Sequence, residues 1–169
     1  MADSSLIADC IRVDVSGFFT TQHWFQSEAG ELGQLTLPAW RREGLFQSAD
    51  GQEWTAQRPK WWRREHELHR DGLTVARSQP RGFFSRQILV QFEGRGYVLE
   101  RISFWKRGWR LLDPSGMALL EIRPQGLFKR GALLAVLGEV DAGLLVFCYY
   151  LVYLSWQEET TVAATAAAS

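Results

Sequence analysis

Leu68-His69-Arg70-Asp71-Gly72-Leu73-Thr74-Val75-Ala76-Arg77 is the stretch on which the fold turns. Asp-Gly supplies the φ > 0 positions of a tight hairpin turn. Beyond it the chain alternates, with Leu73, Val75 and Arg77 on one face and Thr74, Ala76 and Ser78 on the other. Period-2 patterning bounded by a turn reads as two antiparallel strands. Gly72 is the third of five glycines, Gly30, Gly51, Gly72, Gly94 and Gly116, spaced 21, 21, 22 and 22 residues apart. Pro38, Pro59, Pro80 and Pro124 each follow one of these glycines by eight residues. Proline cannot donate to a strand ladder, so each marks a strand end. Asp50-Gly51 and Asp113-Pro114-Ser115-Gly116 repeat the turn chemistry, while Ala29-Gly30 and Glu93-Gly94-Arg95-Gly96 are looser versions. Self-similarity at this period identifies one supersecondary unit used repeatedly.

Each unit of about 22 residues is a hairpin, so the five units give about ten strands. Residues 10–16 and 132–140 add one strand at each end. Ile88, Val90 and Phe92 share one side of their strand, as do Ala118, Leu120 and Ile122. A meander of about 10–12 short strands is expected to close on itself, because closure removes exposed edges. The fold class is therefore mainly β, a closed antiparallel barrel. Eight Trp and ten Phe suit such a pleated, half-buried surface. At 169 residues the chain is one domain.

Residues 142–156 carry no charge, and Asp141 is placed to cap a helix at their start. A helix apolar on every side must be buried on every side. Fifteen residues reach about 22 Å, short of the roughly 20 apolar residues that a membrane span requires. The expectation is one barrel domain over 1–156 enclosing an apolar C-terminal helix at 141–156, followed by a flexible polar tail at 157–169. The alternative is a tail-anchored membrane protein spanning with 132–156. That span would carry Glu139 and Asp141, which are costly to insert.

Ten to twelve antiparallel strands followed by one apolar helix resemble the tubby C-terminal-like superfamily, which includes phospholipid scramblases and LURP-one-related proteins. Residues 68–77, the segment Trp109-Arg110-Leu111-Leu112-Asp113-Pro114-Ser115-Gly116 and the helix 141–156 carry the likeness. The resemblance implies a barrel around a central helix and, from the tubby domains, binding of phosphoinositide headgroups by basic residues. It does not extend to calcium-activated scrambling. The chain has no acylation cysteine cluster and no Asp-x-Asp/Asn-x-Asp/Asn-Gly loop.

No reaction is written in the motifs. His66-Glu67-Leu68-His69 places its two imidazoles three apart on a strand, so they face opposite ways and do not converge on a metal. His23, beside Trp24 and Phe25, reads as a packing residue. Glu65 and Glu67 share a strand face without a catalytic partner. There is no nucleophile elbow and no phosphate loop. The expectation is a protein that is not an enzyme and has no metal or cofactor. Lys+Arg and Asp+Glu balance at 19 each, which argues against a nucleic-acid partner. Cys10 and Cys148 give no disulfide framework, and the first residues have no signal-peptide pattern. Both point to a cytoplasmic setting.

What remains is an aromatic-basic corner in each unit: Trp40-Arg41-Arg42, Trp61-Trp62-Arg63-Arg64, Phe83-Phe84-Ser85-Arg86, Phe104-Trp105-Lys106-Arg107 and Leu127-Phe128-Lys129-Arg130. Such corners suit a lipid interface, with rings at headgroup level and cations on phosphates. Alternatively the rings plug the barrel and the cations face water. Recurrence around the whole fold favours the second reading, because a binding site would occupy one sector. As a site for an anionic ligand, the densest group is Arg58, Lys60, Arg63 and Arg64, with Lys106 and Arg107 from a second corner. The partner would be an anionic lipid or membrane surface, with the protein peripheral to it, or else a protein; a further alternative is a purely structural partner-binding subunit.

Overall fold

The computed structural model describes residues 5–6, 9–40, 43–82, 86–103, 107–126 and 130–169. Its strands begin with β1 (Ser5–Leu6), β2 (Cys10–Ser16), β3 (Thr20–Ser27), β4 (Gly30–Pro38), β5 (Gly44–Ser48), β6 (Glu53–Gln57) and β7 (His66–Arg70). They continue with β8 (Leu73–Pro80), β9 (Gln87–Phe92), β10 (Arg95–Ser103), β11 (Gly108–Leu112), β12 (Ala118–Pro124), β13 (Gly131–Val136) and β14 (Val140–Asp141). Helix α1 (Ala142–Ala167) ends the chain. Strands β2 to β13 form a closed antiparallel barrel of twelve strands. Each pairs with its neighbour in sequence, and β13 pairs with β2 to close the ring. Strands β1 and β14 form a separate two-stranded ladder beside the start of α1.

The repeat is the barrel wall. Asp71 and Gly72 both have positive φ, 53° and 76°, as a two-residue type I′ hairpin requires. Glu93 and Gly94 repeat that geometry at 45° and 80°, so the looser sequence makes the same turn. At the 113–117 turn, Asp113 Oδ1 accepts from the Ser115 and Met117 amides at 2.8 and 2.9 Å. Pro38, Pro80 and Pro124 are the last residues of β4, β8 and β12.

The inward face of β8 consists of Ala76 and Ser78, while Leu73 is 70% exposed. Apolarity alone would have turned Leu73 and Val75 inward. The strand alternation places them outward, and the buried inner positions of β5, β6 and β8 include the small residues Gly44, Ala56 and Ala76. A Cβ at Gly44 would lie 2.7 Å from Leu37 Cδ2 and 3.5 Å from Tyr150.

Asp141 caps α1 as its sequence position implies, with Oδ1 accepting from the Gly143 amide at 2.7 Å. Gly143 through Val152 are buried without interruption. Eight strands close on a core that their own side chains fill, so twelve leave room inside, and this half of α1 occupies it. Each buried Leu, Val or Phe here stabilises the fold by about 1.5–3 kcal/mol. The helix does not stop at Trp156. It continues to Ala167, beyond the expected helix bounds of 141–156, and this second half is largely exposed. Gln, Glu and Ala are good helix formers. The threonine hydroxyls bond carbonyls one turn back, as in Thr161 to Gln157 at 3.0 Å. The tail-anchored alternative is also corrected, because 132–156 is divided among β13, β14 and α1. Among the described residues no helix is long and apolar enough to cross a membrane.

Candidate functional site

A closed meander sends alternate connections to opposite ends of the barrel. The links β2–β3, β4–β5, β6–β7, β8–β9, β10–β11 and β12–β13 leave at one end, and the other links leave at the opposite end. Every aromatic-basic corner falls in the first set. These links contain Arg58, Lys60, Arg63, Arg64, Arg81, Arg86, Arg107 and Arg130, and only Glu43 and Glu65 as acidic residues. Arg41, Arg42, Lys106 and Lys129 belong to the same links in sequence but lie outside the described residues. The opposite links, 28–29, 49–52, 71–72, 93–94, 113–117 and 137–139, each hold one acidic residue and no Lys or Arg. A chain with no net charge thus folds into a barrel with one basic and one acidic end.

The described aromatics of the basic end face water, which corrects for them the reading that they plug the core. Trp61 is 81% exposed, Trp62 63% and Trp40 71%, with Phe18 and Phe19 beside them at 87% and 71%. The core is filled by α1 and needs no corner ring. Phe83, Phe84, Phe104, Trp105 and Phe128, also in these corners, lie outside the described residues. Lys60 Nζ sits 5.8 Å from the centroid of the Trp62 ring, and Trp61 meets Trp62 edge to face at 5.8 Å. Phe18 and Phe19 escaped notice in the sequence because their link has no cation of its own. Arg130 supplies one by donating to the Gly17 carbonyl at 2.6 Å.

The exit of α1 through this end makes a cleft of about 540 Å³ between the helix and the rim. Arg64, Arg130 and His66 line it from the barrel, and Glu158 and Thr161 from the helix, with Phe18 at its margin. A smaller pocket continues past Arg64 and His66 to Arg58 and Ser78. Of the expected binding residues, Arg58 and Arg64 therefore converge. Arg63 is exposed on the same loop, 3.5 Å from Glu65, and its carbonyl accepts a bond from Arg58. Lys60 lies against Trp62. Arg107 has a different task. It donates to the Trp156 carbonyl at 3.3 Å, lies 3.5 Å from Glu159 and accepts the Trp156 indole N–H at 2.9 Å, so it fastens the helix where it emerges.

His66 was legible only as a strand residue. It faces inward against Tyr150, with ring centroids 5.5 Å apart. His69 faces outward to Gln57 and Glu67 at 2.9 and 3.1 Å, so the two imidazoles do diverge. His23 is buried beneath the cleft, between Tyr149 OH at 2.6 Å and Thr21 Oγ1 at 2.9 Å. Burial, reinforced by the Arg130 charge, lowers its pKa to about 3, so it is neutral near pH 7. The buried Cys148 thiol is pushed far up and is inert.

No protein-family model matches the chain. No curated protein matches it in sequence. One solved structure does resemble it. The crystal structure of the Arabidopsis thaliana protein AT5G01750 superposes with a TM-score of 0.59 at 10% identity, covering 85% of this chain and 89% of that one. At that identity the likeness is one of fold.

Proposed function

We propose that this barrel is a non-enzymatic binder of anionic membrane surfaces that docks by its basic, aromatic end. The observation that carries the reading is the gathering of exposed Phe18, Phe19, Trp40, Trp61 and Trp62 with the rim cations at a single end. Exposed large aromatics interleaved with Lys and Arg suit the headgroup layer, where the ring is half buried and the charge meets phosphate. The lipid phosphate would enter the cleft beside Arg64 and Arg130, with Arg58 and His66 behind them. The tubby-like resemblance belongs to the same proposal, since headgroup binding in that group is the reason for putting an anionic lipid ahead of an acidic protein partner. The acidic end would face away from the membrane.

The test is co-sedimentation with vesicles containing anionic lipid, at low and high salt. Retention at low salt that falls as salt rises is expected, because screening shortens the reach of the rim charges. Equal retention on neutral vesicles, or retention unchanged in the double variant Arg63→Glu, Arg64→Glu, would overturn the reading.

A further inference from the structure

The cleft where α1 leaves the barrel has walls of opposite charge. Arg64, His66 and Glu158 line both the cleft and the recess of about 60 Å³ behind it. Arg130 belongs to the cleft and Arg58 to the recess, so each space has a guanidinium of its own beside the shared Arg64. The helix wall is one stripe of α1, with Leu154, Glu158, Thr161 and Val162 at the spacing of a single helical face. Glu158 is the one acid among the described residues that line either space. Its neighbour Glu159 is taken up by Arg101 and Arg107. Among the described residues, neither Glu158 nor Arg64 makes an ion pair, although both line the same two spaces. The other guanidinium groups keep donors to spare. Arg130 gives Nη1 to the Gly17 carbonyl and Arg58 gives Nε to the Arg63 carbonyl, out of five N–H groups each.

An acid that stands beside cations without pairing leaves both signs available to a ligand. A ligand with phosphates alone would meet Glu158 as a like charge, and an ammonium alone would meet the arginines, both unfavourable. A ligand that carries both signs satisfies both walls. Glu158 is common to the cleft and the recess, and each of these has its own arginine. A serine phosphodiester has the matching order, an ammonium between a phosphate and a carboxylate. We infer, resting on the docking reading above, that the cleft and recess form a site for the headgroup of a serine phospholipid. The phosphate lies on Arg130 and Arg64, the carboxylate reaches Arg58, and the ammonium meets Glu158. Arginine holds phosphate and carboxylate alike through paired N–H donors. The recess is several times the space one water needs, so a carboxylate fits it. An ethanolamine headgroup suits the site less well, because it has no second acid for Arg58.

The discriminating experiment is co-sedimentation of the whole chain with phosphatidylcholine vesicles that hold equal fractions of either phosphatidylserine or phosphatidylglycerol, and so equal charge. The serine vesicles are expected to retain the chain about threefold more strongly, as one exposed ion pair would give. Glu158 is exposed on a helix that glutamine also suits, so Glu158→Gln leaves the fold intact. This variant should lower serine retention to the glycerol level and leave glycerol retention equal or higher. Equal retention of the unaltered chain on the two lipids would overturn the assignment while the docking reading stands. A Glu158→Gln variant that binds both lipids more tightly would also overturn it, since the acid would then only repel phosphate. Retention on neither vesicle would sink the docking reading, and soluble headgroups then decide the cleft by NMR titration. Glycerophosphoserine should shift resonances at millimolar concentration more than glycerophosphoglycerol does, and equal or absent shifts would overturn the site.

Discussion

The two ends of the barrel are built from the same repeat and differ in almost everything that could touch another molecule. At one end the connections run from two to five residues and each carries one acidic residue. At the other they run from three to eight, and they present Trp61, Trp62, Phe18 and a ring of cations to solvent. Each turn at the acidic end has a backbone reason for its residues, such as the positive φ at Asp71 and Gly72. The 58–65 loop offers no such reason for two adjacent exposed tryptophans, and exposed apolar groups set among polar ones mark interaction surfaces. The contrast teaches that sequence spent on turns is explained by the fold, whereas the rim is left over for function.

The largest expected effect sharpens that contrast directly. Each rim cation near an anionic surface contributes about 1 kcal/mol, so Arg63→Glu with Arg64→Glu should lower vesicle partitioning at least about thirtyfold. Next comes a prediction for the floor of the cleft. His23 has a folded-state pKa of about 3, below its ordinary 6.5, so the folded state resists a proton that the unfolded chain accepts. Stability should therefore be full above about pH 6.5 and fall as pH drops toward 3, by up to about 1.4 kcal/mol per unit from this group. Denaturant unfolding between pH 6.5 and 5 checks this, and His23→Gln should flatten the slope. The pair Trp61→Ala, Trp62→Ala should weaken vesicle partitioning roughly fivefold with little change in its salt dependence, since rings rather than charges are lost. Smallest of all, Glu28→Lys with Glu139→Lys at the acidic end should change partitioning less than about twofold, being far beyond the Debye length of about 10 Å at 0.1 M.

Much of the wall could be read in advance. The glycine period, the strand-ending prolines and the Asp141 cap all act through local backbone chemistry, which needs no knowledge of neighbours. Two things escaped for physical reasons. The direction of the corner aromatics depends on what already fills the core. Once α1 occupies the lumen, Trp40, Trp61 and Trp62 have nowhere inside to go. Recurrence in sequence argues against a site in one sector, yet alternation of the strands turns a repeat of one corner per hairpin into a single rim. That parity was present in the order of corners and turns. The exit of α1 was hidden because the change from buried Val152 to exposed Gln157 is a change of burial within one continuous helix. Arg107 looked like one more free cation, although its partners Trp156 and Glu159 come from that exit.

The proposed docking requires that the basic end, and not the acidic end, meet the membrane. In a Cys10→Ser background, a nitroxide attached at position 62 or at position 71 reports depth through its accessibility to oxygen and to a water-soluble nickel chelate. On anionic vesicles the label at 62 is expected to become shielded from the chelate and exposed to oxygen, while the label at 71 stays in water. A label at 71 that is buried while 62 stays wet, or two labels that both remain in water on protein-laden vesicles, would contradict it.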